Sequence, residues 1–231
     1  MTHFAMEKYF PLEQSEHRST ALLNLSAGDT LPMAIFDKKR VDNKQVDNKG
    51  VDNKAICDET ICRHCGIELL IIEGCCEDDE QVYSQGYYLR LPDGPDTSLI
   101  AKTDCILFIK YNQFLDGDNG CRTIDTRITD HWLPGPADGI EIRPLHVYDT
   151  ESIMLLRWNH AAEFRPKLNP RGEEILVVNG LLQNRDHLYR QFSWIRNPIE
   201  DWRKWHGNTG TLAYYKSGHF PDDPIRYDQA P

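Results

Sequence analysis

The sequence predicts an all-β chain built as two small barrels in tandem, and three observations lead there. Runs such as "ELLIIEG", "EEILVVNG" and "CILFIKY" are rich in leucine and β-branched residues and stop at glycine or at polar turns, which is strand composition. Residues 66–114 lie on residues 172–220 without a gap at an offset of 106 positions, and eleven of the 49 pairs are identical. Composition alone would give roughly three, so the unit is duplicated. Short strands separated by turns at this spacing build a sandwich or a barrel. The 231 residues, 40% hydrophobic and 10% aromatic, suffice for one large domain or two small ones.

The elements follow in order. Residues 1–18, "MTHFAMEKYFPLEQSEHR", have no cationic start leading into an apolar run, so no secretory leader is expected. The first barrel spans 19–114. Its opening stretch "STALLNLSAGDTLPMAIF" (19–36) pairs with "SIMLLRWNHAAEFRPKLN" (152–169) at an offset of 133 rather than 106, which places 27 extra residues between Asp37 and Cys65. That insertion, about 38–64, carries "VDNKQVDNKGVDNK", three copies of a polar tetrapeptide with one valine per five residues. It cannot bury enough apolar surface to offset the entropy of ordering and is expected to be a mobile loop. A calcium loop would need alternating oxygens, a central glycine and a terminal glutamate, which do not recur here. Residues 115–145, rich in Gly, Asp and Pro, read as a connector with one edge strand near "RTIDTRI". The second barrel spans 146–220, with "EEILVVNG", "SWIRNP" and "TLAYYKS" as strands, and 221–231 form a tail.

The formal net charge of −10 offers no basic face to a phosphate backbone, so nucleic acid is not an expected partner. No stretch approaches the roughly 20 apolar residues of a membrane span. A cytoplasmic protein is the expectation, with seven cysteines read first as free thiols. "CDETICRHC" brings Cys57, Cys62, His64 and Cys65 into nine residues. Zinc would need four ligands, usually as two spaced pairs, and one C-x2-C stands here; free thiols or a reversible loop disulfide are the alternative.

The order of "GEEILVVNGLL", an acidic turn, a tyrosine, "IRNP" and "YYKSGHF", with "DHWLPGPADGIEIRPLH" upstream, resembles the ChrR-like cupins. That family includes the sensor part of ChrR-type anti-sigma factors and stand-alone bicupins, and the resemblance runs from about Ser19 to Phe220. It implies a tandem pair of double-stranded β-helix (cupin) barrels, each with a place for a metal held by His-x-His, a glutamate and a third histidine. Carried over residue by residue, these positions fall in the second copy on Lys167, Asn169, Glu173 and Arg203. In the first they fall on Ala34, Phe36, Ile67 and Thr97. The resemblance thus implies degenerate metal sites, with no cofactor beyond the zinc candidate.

Lys167 and Arg203 would then flank Glu173 either as a structural ion cluster or as a site for a small anionic ligand. Glu68, which matches Glu174, points by strand alternation away from the ligand position and reads as a solvated or salt-bridged residue. Trp132, Trp158, Trp194, Trp202 and Trp205 could line a pocket mouth, or pack within the core or across a homodimer. The separate helical zinc domain that grips a sigma factor is marked by His-x3-Cys-x2-Cys, a spacing absent here, so sigma-factor binding is not expected. Two functions stay open. One is a non-catalytic ligand-sensing or regulatory bicupin; the other is a metal-dependent cupin oxygenase with atypical ligands.

Overall fold

The computed structural model describes residues 19–31, 66–95, 97–167, 169–197 and 204–220, and in them every regular element except one 3-10 turn at Thr129–His131 is a strand. The insertion and the 57–65 cysteine cluster lie outside the described residues. The chain divides into two compact units, Met1–Gln113 with Asn119–Thr123, and Phe114–Asp118 with Ile124–Pro231.

The first unit uses β1 (Ser19–Leu25), β2 (Ile67–Glu73), β3 (Cys75–Glu77), β4 (Val82–Ser84), β5 (Tyr87–Leu91), β6 (Ile100–Ala101) and β7 (Cys105–Tyr111). With β8 (Arg122–Asp125) they form one sheet ordered β1-β7-β2-β5-β8 and a smaller one ordered β4-β3-β6. Alternation along β2 sends Ile67, Leu69 and Ile71 inward against Leu107, Ile109 and Leu89, and the core they form is buried. Glu68 and Leu70 take the opposite face, where both are also buried, so Glu68 is not a solvated residue.

The second unit uses β9 (Leu133–Pro134), β10 (Ile140–Tyr148), β11 (Glu151–Trp158), β12 (Ala162–Phe164), β13 (Glu173–Asn179), β14 (Leu181–Gln183), β15 (Leu188–Arg190), β16 (Trp194–Asn197), β17 (Trp205–Gly207) and β18 (Leu212–Ser217). Its sheets are ordered β16-β13-β18-β11-β10-β9 and β12-β17-β14-β15. Strands β8 and β9 and most of β10 stand in the stretch read from sequence as a connector.

The duplication holds at the level of register. Both β2 and β13 are seven residues long, and each bulges against its neighbour at the same place, between Ile71 and Glu73 and between Val177 and Asn179. Ser19 pairs with Tyr111 as Ser152 pairs with Ser217, and the bridge Thr30 to Ile100 corresponds to Glu163 with His206. The offset of 133 therefore persists to Thr30, while 106 applies from Ile67 onward.

Candidate functional site

Within the second unit, Glu173 begins β13 and points with Ile175 and Val177 into an interior lined by Trp158, Phe164, Trp205, Ala213 and Tyr215. A carboxylate buried among such groups needs donors. It has them: the Tyr215 hydroxyl donates to Oε2 at 3.0 Å and the Trp205 indole N–H to Oε1 at 3.4 Å. Burial, reinforced by the neighbouring Glu173 charge, pushes the Tyr215 phenol far above its ordinary range, so it stays a donor. Phe164 stands edge-on to Trp158 and to Tyr215, which fixes the aromatic wall around the carboxylate.

The other positions carried over from the resemblance are placed differently. Lys167 follows β12 with an exposed side chain. Asn169 is committed to its own turn: its Oδ1 accepts the Arg171 amide at 3.0 Å, and its Nδ2 reaches the Thr150 carbonyl at 3.5 Å. Arg203 lies outside the described residues, as do Ala34, Phe36, Cys57, Cys62, His64 and Cys65. In the first unit Ile67 is core and Thr97 is half-buried, and neither is a metal ligand. Among the described residues at those positions, the donor set in the second unit comes down to one carboxylate that already takes a phenol and an indole, which does not fit a metal of the kind this fold family holds. Of the tryptophans, Trp158 and Trp205 are core, Trp132 is half-buried beneath the Arg157 guanidinium at 4.1 Å, and Trp202 is outside the described residues.

A second constellation was not legible from spacing. Asp118, His146 and Glu151 bring their ligand atoms within 4.8 Å of one another, all buried, the one such group among the described residues. His146 Nε2 lies 2.8 Å from Asp118 Oδ2, and Lys216 Nζ lies 3.1 Å from Glu151 Oε2. His146 pairs with Ile153 and Ile153 with Lys216, so the cluster occupies the sheet face opposite Glu173. Its members come from a loop, a strand just past a bulge, and the next strand's first residue. Nothing in the spacing of Asp118 from His146 could have announced it. The Lys216 ammonium already supplies a cation to Glu151, so the geometry is that of a buried ion network as much as of a metal site. On that face too, His219 Nε2 lies 3.3 Å from Glu174 Oε2, with its ring tilted against that of Phe220 at 4.1 Å between centroids.

The order of strands, the bulged β13 and the carboxylate at its start coincide with a match of residues 123–221 to the ChrR cupin-like domain. Residues 123–221 are similar to that domain. Structural likeness extends over both units. A putative dioxygenase from Nostoc punctiforme aligns with a TM-score of 0.63 at 13% identity, over 95% of this chain and 75% of that one. The glyoxylate-induced protein of Pseudomonas aeruginosa, itself named as putative, gives 0.57 at 11% identity over 94% and 80%. A cupin 2 conserved barrel domain protein from Leptotrichia buccalis gives 0.56 at 8% identity over 94% and 91%. At these identities the likeness shows the cupin fold. No curated protein matches the chain in sequence. No helix among the described residues is long and apolar enough to cross a membrane.

Proposed function

We propose that this cupin is a binding or regulatory module rather than a metal oxygenase. The observation that carries the reading is the state of Glu173. The one carboxylate left at the family's ligand positions is engaged by Tyr215 and Trp205, with Lys167 exposed and Asn169 tied to a turn. An oxygenase metal of this fold type needs several imidazole or carboxylate donors converging with open positions left for substrate and oxygen, and these residues do not supply them.

Elemental analysis of the full chain, purified after growth with added iron, manganese and nickel, tests this. The expected result is no stoichiometric metal that depends on Glu173. Close to one ion per chain, lost in Glu173→Ala, would overturn it. An ion lost in His146→Ala and kept in Glu173→Ala would belong to the opposite face and leave the barrel reading intact. The second reading, an oxygenase with atypical ligands, draws on the solved structures that are named dioxygenases. Oxygen uptake requiring both an added metal and Glu173 would favour it.

A further inference from the structure

The first barrel's interior contains two thiols where the second has none. Cys76 on β3 and Cys105 at the start of β7 are 3% and 2% exposed, and their sulfurs lie 3.8 Å apart. At the offset of 106 their counterparts are Leu182 and Thr211, both 0% exposed. Two positions that face each other across β3 and β7 thus both hold cysteine in the first copy and neither does in the second, which draws attention to the pair rather than to either residue.

The second copy shows what the Cys105 position does by itself. Thr211 Oγ1 donates to the Leu181 carbonyl at 2.9 Å and accepts the Leu181 amide at 3.2 Å, latching the turn after β13 to the start of β18. Cys105 Sγ keeps the donor half of that latch, giving its proton to the Cys75 carbonyl at 3.0 Å, with the Thr103 carbonyl at 3.1 Å. A hydroxyl would serve equally, as Thr211 shows, so the latch does not account for sulfur here. Nor does packing account for Cys76, where leucine fills the equivalent place.

We propose that Cys76 and Cys105 are a dithiol that closes to an intramolecular disulfide in exchange with a small-molecule disulfide. One thiol, as thiolate, attacks the reagent's sulfur–sulfur bond to give a mixed disulfide and one reduced reagent thiol. The other protein sulfur then displaces the second reagent thiol, so two protein S–H bonds become one S–S bond and the reagent leaves reduced by two electrons. Bonded sulfurs stand about 2 Å apart, so the two side chains must close most of their 3.8 Å gap. Cys105 then gives up its S–H bonds to Cys75 and Thr103. Closure pins β3 to β7 and releases the latch on the turn at Gly74 in one step, which makes thiol redox state an input to this barrel. Burial, and the neighbouring Cys105, push the Cys76 thiol up to about 12, so the exchange is slow and follows opening of the barrel edge.

The test uses the reduced full chain incubated with 2-hydroxyethyl disulfide, then alkylated in denaturant and digested. The expected product is a peptide containing Cys75 and Cys76 linked to the peptide containing Cys105, formed in wild type and in Cys75→Ser, and reversed by dithiothreitol. It should disappear in Cys76→Leu and in Cys105→Thr, variants that install the second copy's residues and so keep a side chain this fold already accepts. Persistence of the linked peptide in Cys76→Leu would overturn the assignment. So would recovery of Cys105 as the alkylated free thiol in wild type while Cys75 or the exposed Cys121 carries the reagent.

Discussion

Glu173 shows how a carboxylate is accommodated inside an aromatic barrel. The carboxylate is held by hydrogen bonds from a phenol and an indole, so the hydroxyl of Tyr215 should matter more than its ring: Tyr215→Phe keeps the apolar body and removes a donor to a buried charge. We expect a loss of about 1.5–3 kcal/mol by denaturant unfolding, the range for hydrogen bonds to charged groups. Its pH dependence has a definite sign. The folded-state pKa of Tyr215 is raised above the unfolded value near 10, so its contribution is fully present below about pH 10 and is lost as pH rises beyond it, where the unfolded chain ionises first. Alkaline destabilisation above about pH 10 should therefore be shallower in Tyr215→Phe than in wild type. An identical slope in both would show that this phenol is not held neutral by its surroundings. That a carboxylate opens β13 was legible in the sequence, because the "GEE" stretch stands directly before the apolar run. Its donors were not. Trp205 and Tyr215 lie 32 and 42 positions away, and only the closing of the barrel brings them to it.

Each copy of the duplicated unit turns on a glycine after its bulged strand, Gly74 at φ +78 and Gly180 at φ +83. This left-handed conformation costs other residues about 1–3 kcal/mol, and here the neighbours add to it. A Cβ at Gly74 would come within 2.1 Å of the Asp104 carbonyl oxygen, whereas at Gly180 the nearest atom is the Thr211 Cα at 2.8 Å. Backbone must move in both cases, further at Gly74. Gly74→Ala should accordingly lower the melting temperature more than Gly180→Ala, and equal shifts would mean that the two turns relax alike. These glycines were visible as strand terminators, and the strands themselves were legible because β2 and β13 are long apolar runs. β9 and β10 were not separated from the connector. Proline and glycine surround them, and β10 carries Arg143, Pro144 and His146, a composition that local propensity assigns to a loop until β11 pairs along its whole length.

Taken over the whole chain, three of the eleven identities between the copies fall on one row of side chains. Lys110, Glu68 and Arg90 are partners across β7, β2 and β5, and Lys216, Glu174 and Arg196 are partners across β18, β13 and β16. The alignment found these pairs, but it could not tell a solvated row from a buried one, because charged residues on a strand face read as solvent-facing. In fact Lys110, Glu68, Arg90, Lys216 and Glu174 are all buried. Lys216 is 0% exposed beside an equally buried Glu151, so Lys216→Met should cost about 3–5 kcal/mol, as when one member of a buried pair is removed. A melting curve unchanged by that substitution would show that the pair is not coupled to folding. The duplication also predicts what the chain can lose. The offset of 133 holds in register as far as the Thr30 bridge and 106 holds from Ile67, so the additional residues enter between these two points without shifting any described strand pair. The second copy closes the same connection without them. Loop-closure entropy grows with the logarithm of length, so an insertion of this size changes stability by only about 1 kcal/mol. Deleting Lys39 to Ile61, which removes all three VDNK copies and leaves both flanking strands whole, should yield a protein that unfolds in a single cooperative transition with a midpoint close to wild type. Loss of that transition would show that the insertion contributes structure to the first barrel, and loss of a bound zinc ion on the same deletion or on Cys62→Ser would favour a zinc site in the cysteine cluster.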